Sequence, residues 1–242
     1  MITRALLATI FVGLFSGLIM TAAQQWRVVP LIIAAEAYEG ETPAVHQHGN
    51  LRIKPVKSGM TLVTPAFAHE TSEELGPLGL SRLSGTLMAN LVTGTGFALL
   101  LFGLSTLLGR AVSAKTALAW GACGWLAMHF LPAIGLPPEL PGFPAAELQA
   151  RQIWWVATVG LSAAGLAMLA LKDGSGFKLA GLAFIALPHV FGAPQPADIN
   201  SAVPALYAAE YAVAALTASL ISWLVLAFGL GFANDRLAAS AS

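Results

Sequence analysis

Five histidines and the acids around them set the chemistry that this chain could perform. His46 and His48 stand one residue apart, a spacing that places both imidazoles on one side of an extended segment. His69 follows in the same stretch, and His129, three residues before Pro132, and His189, directly after Pro188, each lie toward the end of an apolar run. Glu36 and Glu39 share a face if their segment is helical. Glu139 stands among prolines, and Glu210 opens the last apolar run. Neutral imidazoles mixed with carboxylates form a ligand set of intermediate hardness, suited to a divalent first-row metal such as cobalt, nickel or zinc. Thiolate takes no part, because the single cysteine, Cys123, lies inside an apolar run and reads as packing. The ordinary readings are solvated loop histidines and acids that mark a water boundary, so residue type alone leaves the site open.

Whatever positions these groups must do so in lipid. Of 242 residues 57% are hydrophobic and only 10% charged, which predicts an integral membrane protein. Twelve basic and twelve acidic residues balance to zero formal charge, so nothing points to a nucleic-acid partner. A spanning helix needs about 20 mostly apolar residues. Clear runs cover Ala5 to Ala23, Leu83 to Leu108, Thr116 to Leu131, Ile153 to Leu171 and Pro204 to Phe232, and a shorter one covers Leu179 to Phe191. The expected fold is therefore all-α, a single polytopic bundle of five or six transmembrane helices. The first run has signal-peptide features but leads into further apolar sequence, and it is read as a retained helix. Gly13, Gly17 and Thr21, spaced by four, allow close backbone approach to a neighbouring helix.

With six spans, Arg4, Arg110, Lys115, Lys172, Lys178 and Arg236 fall on one side, and the short connections opposite carry only Arg151. The positive-inside rule then makes the amino terminus cytoplasmic and puts all five histidines on the external side. That side also holds a long loop, about 37–81, and a Pro-rich loop, about 132–150. In the latter, Pro137, Pro138, Pro141 and Pro144 exclude continuous helix. Its irregular backbone must meet water or protein and not lipid, and it is expected to hang Glu139 over the bundle mouth beside His129. Beyond it Arg151, Gln152, Trp154 and Trp155 suit a membrane interface.

Four segments together resemble one family. They are "LPPELPGFPAAELQARQIWW", "LPHVFGAPQP" at 187–196, "QQWRVVPLIIAAEAYE" at 24–39, and the His-x-His that follows. The chain is similar to the CbtA family, predicted cobalt transporter subunits of bacteria. The resemblance implies import of cobalt across the inner membrane for cobalamin synthesis, alongside a small single-span, His-rich subunit, CbtB. Cobalt is then the transported ion, and no reaction is implied. On that reading His46, His48, His69, Glu36 and Glu39 capture the metal. His129, Glu139 and His189 pass it inward, while Gln24, Gln25, Arg151, Gln152, Trp154 and Glu210 line or support the path.

No nucleotide engine is present in this sequence. Gly109 to Thr116 resembles a phosphate loop only loosely, with Ala114 where a second glycine belongs and Ser113 placed as a helix cap. Two other readings use the same residues. His129 and His189 could be axial ligands of a haem in an electron-transfer subunit, or the external loop could bind metal in a scaffold that conducts nothing.

Overall fold

The computed structural model describes residues 2–39 and 81–240. Helices α1 (Ile2–Ala23) and α2 (Val29–Glu39) are joined without a break by a π turn over Gln24–Val28. α3 (Arg82–Leu107) follows the undescribed segment. α4 (Ala117–Trp125) continues through a second π turn, Leu126–Phe130, into α5 (Leu131–Gly135). The remaining helices are α6 (Leu148–Leu171), α7 (Ser175–Phe191) and α8 (Ala205–Ala239). Five helices are long and apolar enough to cross a membrane. The all-α polytopic bundle expected from the sequence is the fold observed.

The π turns have a local cause. In each, an amide bonds to the carbonyl five residues back, Val29 to Gln24 and Leu131 to Leu126. Each turn also ends two residues before a proline, Pro30 or Pro132. A proline ring excludes the carbonyl four residues back and offers no amide, so widening the preceding turn makes room for it. Pro132 therefore stays inside a helix, and the Pro-rich loop expected over 132–150 is narrower: only residues 136–147 are non-helical. The first helix likewise continues past residue 37, to Glu39.

Packing follows the small residues. α1 packs on α3 and α8, α4 on α8, and α6 on α7. A Cβ on Gly13 would lie 2.5 Å from Thr95 Cα, and one on Gly17 would lie 2.5 Å from the Asn90 carbonyl oxygen, so α1 and α3 touch backbone to backbone. Polar links lock the same seams. Asn90 Nδ2 donates to Thr21 Oγ1 at 3.0 Å and to Gln24 Oε1 at 2.6 Å. Trp125 Nε1 donates to Ser219 Oγ at 3.0 Å. At the centre, Leu101, Trp223, Leu226 and Leu230 form a buried core.

Two ends can be distinguished. At the terminal end, Arg4 of α1 and Leu237 of α8 line one cleft with the turn after α3. At the capped end, residues 136–147 cover the bundle, and Leu140 packs with Ala35 of α2 and Val203 before α8. Because both ends of the described chain lie together, an even number of helical passes joins them. α7, the fifth in chain order, is the pass added to the five long helices: it is 17 residues long, and the prolines after it, Pro194 and Pro196, line a cleft with the cap. The sequence left five or six passes open, and this geometry makes six traverses of the bundle.

α6 begins with a carboxylate cap. Glu147 accepts from the amides of Gln149 at 2.9 Å and Ala150 at 2.7 Å, and these bonds hold its carboxyl below the ordinary glutamate range. The depressed value means the cap is present above the unfolded pKa and is lost only as pH falls through the lower folded one. Glu147→Ala is expected to speed hydrogen exchange at the Gln149 and Ala150 amides at neutral pH. Wild-type protein should lose the corresponding protection, taken relative to the intrinsic exchange rate at each pH, only as pH falls through the depressed folded pKa.

Candidate functional site

The chemistry-bearing residues gather toward the capped end, in three layers. The outermost is the cap itself. Arg151, in the first turn of α6, donates to Glu139 Oε2 at 2.5 Å. Nearby, Arg82 at the start of α3 donates to both Glu36 oxygens, at 2.8 and 3.1 Å. Glu36 and Glu139, which the sequence offered as ligands, are thus each matched to an arginine. Glu139, expected to hang over the bundle mouth beside His129, is paired with Arg151.

Burial raises the Glu139 carboxyl above its ordinary value of 4.5, and the Arg151 guanidinium pulls the other way without cancelling it. The contribution of this group to folding is therefore present below the unfolded pKa and lost as pH rises through the higher folded one. The carboxyl group is thus partly desolvated and faces a single cation. Glu139 also lines a cleft of about 240 Å³, whose walls are the two Pro-rich stretches, 135–146 and 194–196. Ser201 ties them by donating to the Gly142 carbonyl at 2.8 Å.

The second layer is His189, near the end of α7. Its ring centroid lies 5.9 Å from that of Trp154, in a T-shaped contact. Trp154 in turn donates through Nε1 to the Pro188 carbonyl at 3.3 Å and fills the space a side chain at Gly135 would need. This tryptophan therefore braces α5, α6 and α7 around the imidazole. Trp155 beside it is more exposed, and Gln152 is exposed as well.

His129 forms the third and deepest layer. The second π turn carries it, and its ring stands edge-on to Phe97 at 5.9 Å and to Trp223 at 6.3 Å. Phe97 is past the middle of α3 and Trp223 is near the middle of α8, so His129 lies at mid-height and not at the mouth. Trp223 reaches it because α4 presents Gly124, where a Cβ would collide with the indole. The Nε2 atoms of both His129 and His189 are buried without a hydrogen-bond partner. Buried polar atoms are normally satisfied, so a ring nitrogen left open is available to a water or a ligand.

Other expected residues divide. Gln24 belongs to the Asn90 network, and Gln25 Nε2 is buried without a partner. Glu210 is exposed on α8. His46, His48 and His69 lie outside the described residues, as does the Glu39 side chain. Among the described residues no three His, Cys, Asp or Glu side chains converge as a metal cage. Sequence reasoning missed Arg82, Asn90, Phe97 and Trp223. Asn90 was the one legible on its own, as an amide inside an apolar run.

The profile of a family described as "Probable cobalt transporter subunit (CbtA)" matches residues 2–235. The chain belongs to this family. No curated protein and no solved structure matches it. As a CbtA-family chain it is a subunit of a cobalt-transport system and a multi-pass membrane protein. The π turns at Gln24–Val28 and Leu126–Phe130 fit that assignment, since π turns inside helices are frequent at functional sites. The haem reading gains nothing comparable: His129 and His189 stand against different aromatic partners, Phe97 with Trp223 and Trp154.

Proposed function

We propose that this chain imports divalent cobalt across the bacterial inner membrane, to supply cobalamin synthesis, with the capped end facing outward and a small His-rich subunit as partner. The observation that carries the reading is the buried, unpartnered Nε2 of His129 at mid-height, in a chain of the cobalt-transport family. Orientation rests on the short loops, because Arg110, Lys115, Lys172 and Lys178 all belong to the opposite end.

The ion is captured by His46, His48 and His69 with Glu36 and Glu39. It then passes Glu139, held ready by Arg151, and reaches His189 and His129. The separation of these groups suits conduction, because a complete coordination shell would trap the ion whereas successive weak sites release it. Each site supplies one or two ligands while water completes the shell. The driving force is the membrane potential, about 4.6 kcal/mol for a dication per 100 mV. Imidazole binds metal only when neutral, so uptake declines as pH falls through the histidine range.

Two variants test the outer steps. In an uptake-deficient bacterium expressing the chain with its partner, His46→Ala with His48→Ala is expected to lower cell cobalt several-fold at limiting external metal. Unchanged cobalt content would remove the capture step. Glu139→Gln keeps the shape of the cap but not its charge, and is expected to reduce uptake several-fold with protein abundance unaltered. Uptake at the wild-type rate would leave the Arg151 pair a purely structural tie.

A further inference from the structure

The terminal end holds a feature that metal transport does not use. A cleft of about 710 Å³ opens between the start of α1, the turn after α3 and the end of α8, with Arg4 and Arg110 among its lining residues. Gly109, at φ 62°, makes the turn that carries Arg110. Among the described residues neither arginine has a carboxylate partner: the two ion pairs are Glu36 with Arg82 and Glu139 with Arg151. Asp235, the acid next to the lining residue Asn234, is engaged elsewhere, accepting from the Ala114 amide at 3.0 Å.

The remaining polar groups do not neutralise this charge. The hydroxyls of Ser105 and Thr106 both donate to the Phe102 carbonyl, each at 2.8 Å, and the Asn234 amide donates to the Val112 carbonyl at 2.9 Å. The free donors are thus the two guanidiniums, groups whose planar forks match phosphate oxygens. The rest of the lining is largely apolar, with Ile2, Phe102 and Leu237. An inorganic anion would use the arginines and leave that wall exposed. An amphiphile would use both.

From this we infer a lipid site: the cleft takes the phosphate headgroup of an anionic phospholipid, with an acyl chain against the apolar wall. The three elements that form the cleft are the ends of membrane-spanning helices, which is the depth at which headgroups lie. The bound lipid bridges α1, α3 and α8 where protein contacts between them give way to open space. The site stands independently of which ion is transported.

The test is native mass spectrometry of the full chain, delipidated in detergent and then offered phosphatidylglycerol or phosphatidylcholine. The expected result is one retained phosphatidylglycerol per chain, favoured over phosphatidylcholine by about tenfold. Arg4→Gln with Arg110→Gln should bring retention down to the phosphatidylcholine level, whereas Lys172→Gln with Lys178→Gln, at the same end but outside the cleft, should not. Arg110→Gln alone, a change in an exposed turn, gives the same reading at smaller amplitude if the double variant does not fold. Equal retention of the two lipids, or undiminished phosphatidylglycerol in the arginine variants, would overturn the inference. Displacement of the lipid by millimolar inorganic phosphate would also overturn it, by making this a site for soluble anions.

Discussion

Gly94→Val is expected to remove most of the folded protein from the membrane. A Cβ at Gly94 would lie 2.5 Å from the Gly13 carbonyl oxygen and 3.0 Å from the Gly17 amide nitrogen. Both are backbone atoms, so no side chain can rotate away, and α1 must move off α3. That displacement also breaks the Asn90 bonds to Thr21 and Gln24, leaving a buried amide without partners. Overpacking alone costs about 1–3 kcal/mol, and the stranded amide adds about 1–3 kcal/mol more. The thermal midpoint of the purified protein should therefore fall sharply. Gly96→Ala is the control on the same helix, where an added Cβ meets nothing within 4 Å. It should be neutral, or stabilising by up to about 1 kcal/mol through helix propensity. If the two variants behave alike, the α1–α3 seam is not packed as described.

His129→Phe should retain the fold and lose transport. A phenyl ring fills the slot between Phe97 and Trp223 but offers no nitrogen, so packing persists while the deep station disappears. Cobalt accumulation is expected to drop about tenfold or more, the scale of losing one charge-assisted or metal-bound ligand at about 1.5–3 kcal/mol. His129→Ala should lower uptake too, but with a loss of stability, since removing the ring leaves a void in the aromatic cluster. Normal transport by the phenylalanine variant would make His129 a packing residue and move the path elsewhere.

The fold was legible because lipid imposes simple rules. Runs of about 20 apolar residues had to be helices, and Gly13 and Gly17 announced a close seam that the structure places against Gly94 and Asn90. The prolines at 137, 138, 141 and 144 announced a non-helical cap. Pro132 misled in the opposite direction, because the π turn before it lets the helix continue to Gly135. That relief depends on three-dimensional room, which a single sequence does not display.

The candidate site was legible by type and not by pairing. Glu36 and Glu139 looked like free acids because their partners, Arg82 and Arg151, lie 46 and 12 residues away. His129 looked like a helix-end residue because its depth is set by how far α3 and α8 extend past it. Phe97 and Trp223, which define its surroundings, resemble any other aromatic residues in an apolar run until the helices are packed.

The central claim is that this bundle, with its partner, moves cobalt. The most direct test is flux into liposomes that hold both proteins, an internal cobalt-quenched dye and an inside-negative potential. Dye quenching should grow with the potential, as expected for a dication worth about 4.6 kcal/mol per 100 mV, and should be lost with His129→Phe. Folded protein in the liposomes with quenching no faster than in empty ones would contradict the claim.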